Sequence, residues 1–164
     1  MTDKRIIFKD KEGNYQIIIP FGDVEQAKKD IPAGVKWHIV DKKNIPIDRI
    51  FRAAWTYNSN TKTIDICIEK ARDIQMSRIR ALRNIKMREL DREQLKGKDV
   101  SEQKKALREL PEAVKKELEG MSNIKEIPYL IPKEINKIAE TSVTYLNDEN
   151  IDKAYMAATK INIL

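Results

Sequence analysis

The chain has 164 residues, a formal charge of +6, a single cysteine and five glycines. That length fits one domain with a modest core or a compact domain with a helical appendage, and it excludes two full enzyme lobes. One cysteine excludes an internal disulfide, and five scattered glycines exclude the clustered phosphate loops of nucleotide hydrolases.

The run Ile6-Ile7-Phe8 is far shorter than the apolar core of a signal peptide, and no segment reaches the roughly 20 apolar residues that cross a bilayer. The expected setting is a reducing cytoplasm, with Cys67 a buried small hydrophobe. Residues 5–9 and 15–19 read as β-branched strands joined by a turn at Gly13-Asn14, and Pro20 ends the second. Asp23 caps a short helix through Val24, Ala27 and Lys28 that Pro32 and Gly34 stop. A third strand covers 35–40, and a polar turn follows at 41–44. The stretch from Ile45 to Trp55 is the most distinctive of the chain. Asn58-Ser59-Asn60-Thr61 then turns a strand over 53–57 into one over 62–67. Most aromatics fall in this part, so Trp37, Phe51 and Trp55 are its expected core.

Residues 68–96 contain no proline or glycine and form one long helix. Spacing of about 100° per residue places Ala71, Ile74, Ile79, Leu82, Ile85 and Leu90 on one arc, with Asp73, Ser77, Arg80 and Arg88 opposite. Gly97 ends it. Ser101 caps a second helix to about Leu110, with Lys104 where a capping box would place Glu; Pro111 interrupts that helix and restarts a turn that ends at Gly120. Pro128 and Pro132 bracket a non-helical stretch, and short helices follow over 133–146 and 148–160, the latter capped by Asp148.

These elements define an α+β fold: a small antiparallel N-terminal sheet, a long amphipathic helix, a helical hairpin and short C-terminal helices. The expected divisions are a β-rich domain at 1–67, the long helix and hairpin at 68–120, and a proline-bounded linker with a helical extension at 121–164.

The only histidine, His38, has neither zinc spacing nor a cysteine partner, and a structural role is expected for it. The acidic pair Asp48 and Asp65 is read as ion-pairing or turn-capping. No catalytic, cofactor-binding or metal-binding residue is assigned, and the chain is expected not to be an enzyme. Lys70, Arg72, Arg78, Arg80, Arg83, Lys86, Arg88 and Arg92 make the long helix basic. They are spread around it and do not form one stripe, which favours a solvated or protein-facing role over a phosphate backbone. A platform of Trp37, Phe51, Trp55 and Tyr57 for stacking bases is the less favoured reading beside a core.

The order of pieces resembles a group of small proteins from the tail regions of tailed bacteriophages and prophages. The likeness runs from Gly13-Asn14-Tyr15-Gln16-Ile17-Ile18-Ile19-Pro20 through the segment from Ile31 to Asp41 to Pro46-x-Asp48-Arg49-x-Phe51-Arg52-x-Ala54-Trp55, its most specific element. It continues in Lys70-Ala71-Arg72-Asp73-Ile74, the Arg78, Arg80, Arg83 rhythm, Leu90-Asp91 and Leu107-Arg108-Glu109-Leu110-Pro111. It covers residues 13–132. The resemblance implies a tail or tail-fibre structural or assembly role through protein contacts, located in the host cytoplasm during assembly or in the virion, with no enzymatic activity. A basic accessory protein binding DNA or RNA is the alternative.

Two groups of residues are the expected partner contacts. Arg49 and Arg52 project outward toward partner carboxylates. Leu82, Ile85 and Leu90 lie on a helix of roughly 40 Å, longer than a small sheet covers, and are expected to pack on the helix from Ser101 to Leu110, on the extension after Pro132 or on another chain, with an additional contact to a tail protein or a second copy favoured.

Overall fold

The computed structural model describes residues 3–47 and 49–137. Its contacts divide the chain into two compact units, Met1–Ala71 and Arg72–Leu164. The fold is α+β, with small antiparallel sheets followed by helices. Of the expected helix over 133–146 only residues 133–137 are described, beginning with a 3-10 turn at Lys133–Ile135; the expected helix over 148–160 lies outside the described residues, as does Asp48.

In the first unit, β1 (Lys4–Lys9) pairs antiparallel with β2 (Tyr15–Ile18) on one side and β3 (Trp37–Asp41) on the other. The turn between β1 and β2 follows from residue chemistry. Gly13 takes φ +86°, a region that favours glycine, and the Asp10 carboxylate gathers the amides of Glu12 and Asn14 at 3.0 and 2.9 Å. Asp23 caps α1 (Val24–Ala27) by accepting from the Glu25 amide. The second hairpin, β4 (Trp55–Asn58) with β5 (Thr63–Ile66), forms a separate two-stranded sheet where one continuous sheet was expected.

Strand alternation sorts the side chains of β1 into two layers. Ile7 joins Tyr15, Val40, Trp55 and Ile64 in a core between the two sheets, with Ile17, Ile45, Tyr57 and Ile66 packed at its border. Ile6 and Phe8 face the other way, where α1 packs and buries Ala27. This second layer is thin. Trp37, paired with Phe8, belongs to it and is 37 % exposed, with the Lys28 ammonium 5.0 Å from its ring centre. The expected burial therefore holds for Phe51 and Trp55, each 3 % exposed, and fails for Trp37, because a four-residue helix is too short to cover an indole. Cys67, also expected in the core, is half-buried.

The long helix α2 (Ile68–Leu95) has the expected bounds, and Gly97 follows it at φ +85°. Its buried line runs through Ala71, Gln75, Ile79, Leu82 and Leu90, rotated from the expected arc so that Ile74 and Ile85 lie at one border. In the second unit α3 (Ser101–Gly120) runs back along it: Lys104 bridges to Asp91 at 2.6 Å and to Gln94 near one end, and Arg72 donates to the Met121 carbonyl near the other. That use of Lys104 explains the missing half of the capping box. Ser101 is not the cap; Asp99 accepts from the Ser101 amide at 3.0 Å instead.

Two sequence expectations fail in this unit. Pro111 does not interrupt α3, which continues to Gly120. Leu107, Leu110, Val114 and Leu118 form one buried stripe across it, so packing outweighs the lost hydrogen bond. Nor do residues 127–135, expected within a linker and its extension, lie unpacked. Ile127 and Ile135 are 0 % and 1 % exposed, and the Gln75 amide donates to the Leu130 carbonyl at 3.0 Å.

Two stability measurements follow from this packing. Trp55→Ala removes the largest side chain of the inter-sheet core and is expected to cost about 3–5 kcal/mol in a denaturant melt; a melt matching the parent would contradict the core placement. Pro111→Ala restores an amide donor inside a helix and is expected to stabilise the chain, by up to about 3 kcal/mol. A lower midpoint for that variant would show that the proline ring itself is needed by the packing.

Candidate docking groove

The motif from Ile45 to Trp55 is held against β2 by a chain of polar contacts. A 3-10 turn at Arg52–Ala54 places Arg52 beside the strand. Its Nε donates to the Tyr15 carbonyl at 2.8 Å, and its Nη2 donates to Gln16 Oε1 at 3.0 Å. Gln16 Nε2 in turn donates to Asp10 at 2.6 Å. The guanidinium also lies 5.9 Å from the Trp55 ring centre. Arg52 is thus an internal clamp and not an outward partner contact, a correction to the sequence reading. Its motif neighbour Arg49 is exposed.

Beyond this clamp the inter-sheet core is left open at one end. Ile17 and Ile19 of the β2 segment face Ile45, Pro46 and Ile47 across a cleft of about 700 Å³. Ile19 is 58 % and Ile47 83 % exposed. Around this apolar floor stand three exposed cations, Lys42, Lys43 and Arg49, against two carboxylates, Asp3 and Asp41, with buried Arg5 donating to the Lys4 carbonyl beneath. Asp41 is engaged by Lys4 at 2.7 Å, and that hydrogen bond holds its carboxyl below the usual aspartate range. Of these residues only Arg49 was singled out from sequence. Ile19 before Pro20 and the Ile45-Pro46-Ile47 run are visible as apolar punctuation, but nothing local shows that they face each other.

The remaining expected contacts are placed differently. Leu82 and Leu90 are 6 % and 2 % exposed, within the chain's own packing, and are not open to a partner. Ile85, at 38 %, stays accessible. The bases of α2 are divided as well. Arg72 and Arg78 donate to the Met121 and Pro128 carbonyls at 2.6 and 3.5 Å, which takes them out of any phosphate-facing row, while Arg80, Arg88 and Arg92 are exposed.

His38 stacks on Tyr57 with ring centres 3.9 Å apart, and burial, then Lys36, lowers its pKa so that the neutral ring is favoured. Asp65 accepts from Asn58 and Thr63 along the second hairpin. Among the described residues no group of three or more His, Cys, Asp or Glu side chains is placed to hold a metal, and no helix is long and apolar enough to cross a membrane.

The clamp carries a pH signature. Hydrogen bonds from Gln16 first, then from Asn14, hold the Asp10 carboxyl below the ordinary aspartate value. A depressed folded pKa means that this contribution is present above the unfolded pKa and is lost as pH falls through the folded one. A carboxyl-detected NMR titration is expected to place Asp10 below a model aspartate, and to move it upward in Gln16→Ala. An unchanged titration in that variant would break the proposed link from Arg52 to the turn.

No protein-family model, no curated protein and no solved structure matches this chain.

Proposed function

We propose that this protein is a structural or assembly component of a bacteriophage tail or tail fibre, that it works by contacting other proteins, and that it is not an enzyme. The observation that carries the reading is the open groove at the end of the inter-sheet core. An apolar floor of isoleucines left half-covered beside a charged rim has the make-up of a protein contact, with an apolar centre and a polar border. The motif that most resembles tail-region proteins, from Pro46 to Trp55, is the same segment that forms one wall of the groove and clamps it to β2. Its Arg52 fixes that wall from inside, and its Arg49 stands exposed at the rim.

The alternative, a basic accessory protein on DNA or RNA, has less support from the placement of charge. Two of the arginines on α2 are spent on carbonyls of the same chain, which reduces the basic surface the helix offers to a phosphate backbone.

Crosslinking in cells that carry the gene decides between these readings. The tagged chain, treated with an amine-reactive crosslinker during particle production, is expected to join tail or tail-fibre proteins, with the yield little changed between low and physiological salt. Ultraviolet crosslinks to nucleic acid, lost steeply as salt rises, with no tail protein joined, would overturn the proposal in favour of the alternative.

A further inference from the structure

Resting on the docking role proposed above, the geometry points to one class of occupant for the groove: an extended segment of a partner polypeptide, rich in β-branched apolar and acidic residues, that adds to the free edge of β2.

Three observations carry this. First, β2 is an edge strand, in the order β2-β1-β3. The Tyr15 carbonyl faces away from β1, since it accepts from Arg52, and the two-residue alternation of an antiparallel strand turns the amide and carbonyl of Ile17 the same way. Among the described residues no backbone group pairs with Ile17 on that side. Arg52 covers the edge at Tyr15, so the free portion begins at Ile17, where the groove begins.

Second, a strand added along this edge sends every second side chain over the face that carries Ile17 and Ile19. Those side chains enter the cleft opposite Ile45, Pro46 and Ile47, whose apolar surface needs β-branched or aliphatic partners. Main-chain hydrogen bonds supply the affinity and the pocket supplies the selection.

Third, the rim selects by charge. Exposed Lys42, Lys43 and Arg49 outnumber Asp3 and Asp41, and Asp41 is already engaged by Lys4. A carboxylate on the incoming segment meets guanidinium and ammonium groups, whereas a lysine there meets like charge. The chain's own charge of +6 argues against a second copy as the occupant.

A library of random twelve-residue peptides, panned on the full chain, tests this occupant. Enriched peptides are expected to alternate Ile or Val with other residues and to be acidic, and a labelled member is expected to bind at least tenfold more tightly than its version with Glu and Asp changed to Lys. Ile19→Lys and the double variant Lys43→Glu, Arg49→Glu alter exposed side chains and are each expected to weaken binding at least tenfold, with circular dichroism melts unchanged. Lys115→Glu, on α3, serves as the control that leaves binding intact. Enrichment of basic peptides, no enrichment, or binding indifferent to the groove variants would overturn the inference. Tail-protein crosslinks that persist in Ile19→Lys would leave the docking role standing and place its contact elsewhere.

Discussion

The first unit depends on the pairing of Tyr15 with Arg52. Tyr15 sits in the inter-sheet core at 7 % exposure, and two of its polar groups tie distant segments: its hydroxyl accepts from the Tyr57 amide at 3.2 Å and its carbonyl accepts from Arg52. One residue of β2 thereby fixes the second hairpin and the segment that precedes it. A guanidinium suits this task because its fork reaches two acceptors 36 and 37 residues away in sequence while its flat face lies near Trp55. Without the clamp, the 45–54 segment would have few regular hydrogen bonds to hold it beside β2.

The second unit solves a similar problem in a different way. Between Gly120 and Asn136 the described residues form short 3-10 turns at Ile127–Tyr129 and Lys133–Ile135, so many of their carbonyls lack ladder partners. Arg72, Gln75 and Arg78, about one turn apart along α2, supply the donors to Met121, Leu130 and Pro128. Gln75 is completely buried for this purpose, in a position where periodicity alone asks for an apolar residue. Arg72 and Arg78 explain why the basic composition of α2 overstates its basic surface. Charge counted from sequence includes groups that the fold consumes.

The first unit leaves apolar surface exposed at one end of its core. The core between the sheets is well filled around Trp55 and Ile64, and it thins toward Ile19 and Ile47 because β4 and β5 are only four residues long. A short hairpin cannot cover the full length of β1, and the loop from Lys42 to Ile47 closes only one side of the remainder. The groove is a consequence of unequal strand lengths.

Local chemistry determined much of this protein from the sequence by itself. Turn residues at Gly13 and at Asn58 to Thr61, the cap at Asp23, and the uninterrupted helix-forming run up to Gly97 each placed an element, because capping, positive φ and propensity act within a few residues. The α+β class followed from their order. Tertiary structure alone decided which layer each strand residue joined, so Trp37 lies under a helix too short to bury it while Trp55 is enclosed. It also decided that α3 runs through Pro111, that Val100 and not Ser101 takes its N-cap position, and that residues 127–135 pack where a linker was expected. The groove belongs to the same class: Ile17, Ile19, Ile45 and Ile47 are ordinary isoleucines in a chain rich in them, and only the pairing of distant strands sets them face to face. Those outcomes depend on contacts between residues far apart in sequence, whose energies outweigh the local preferences of each segment.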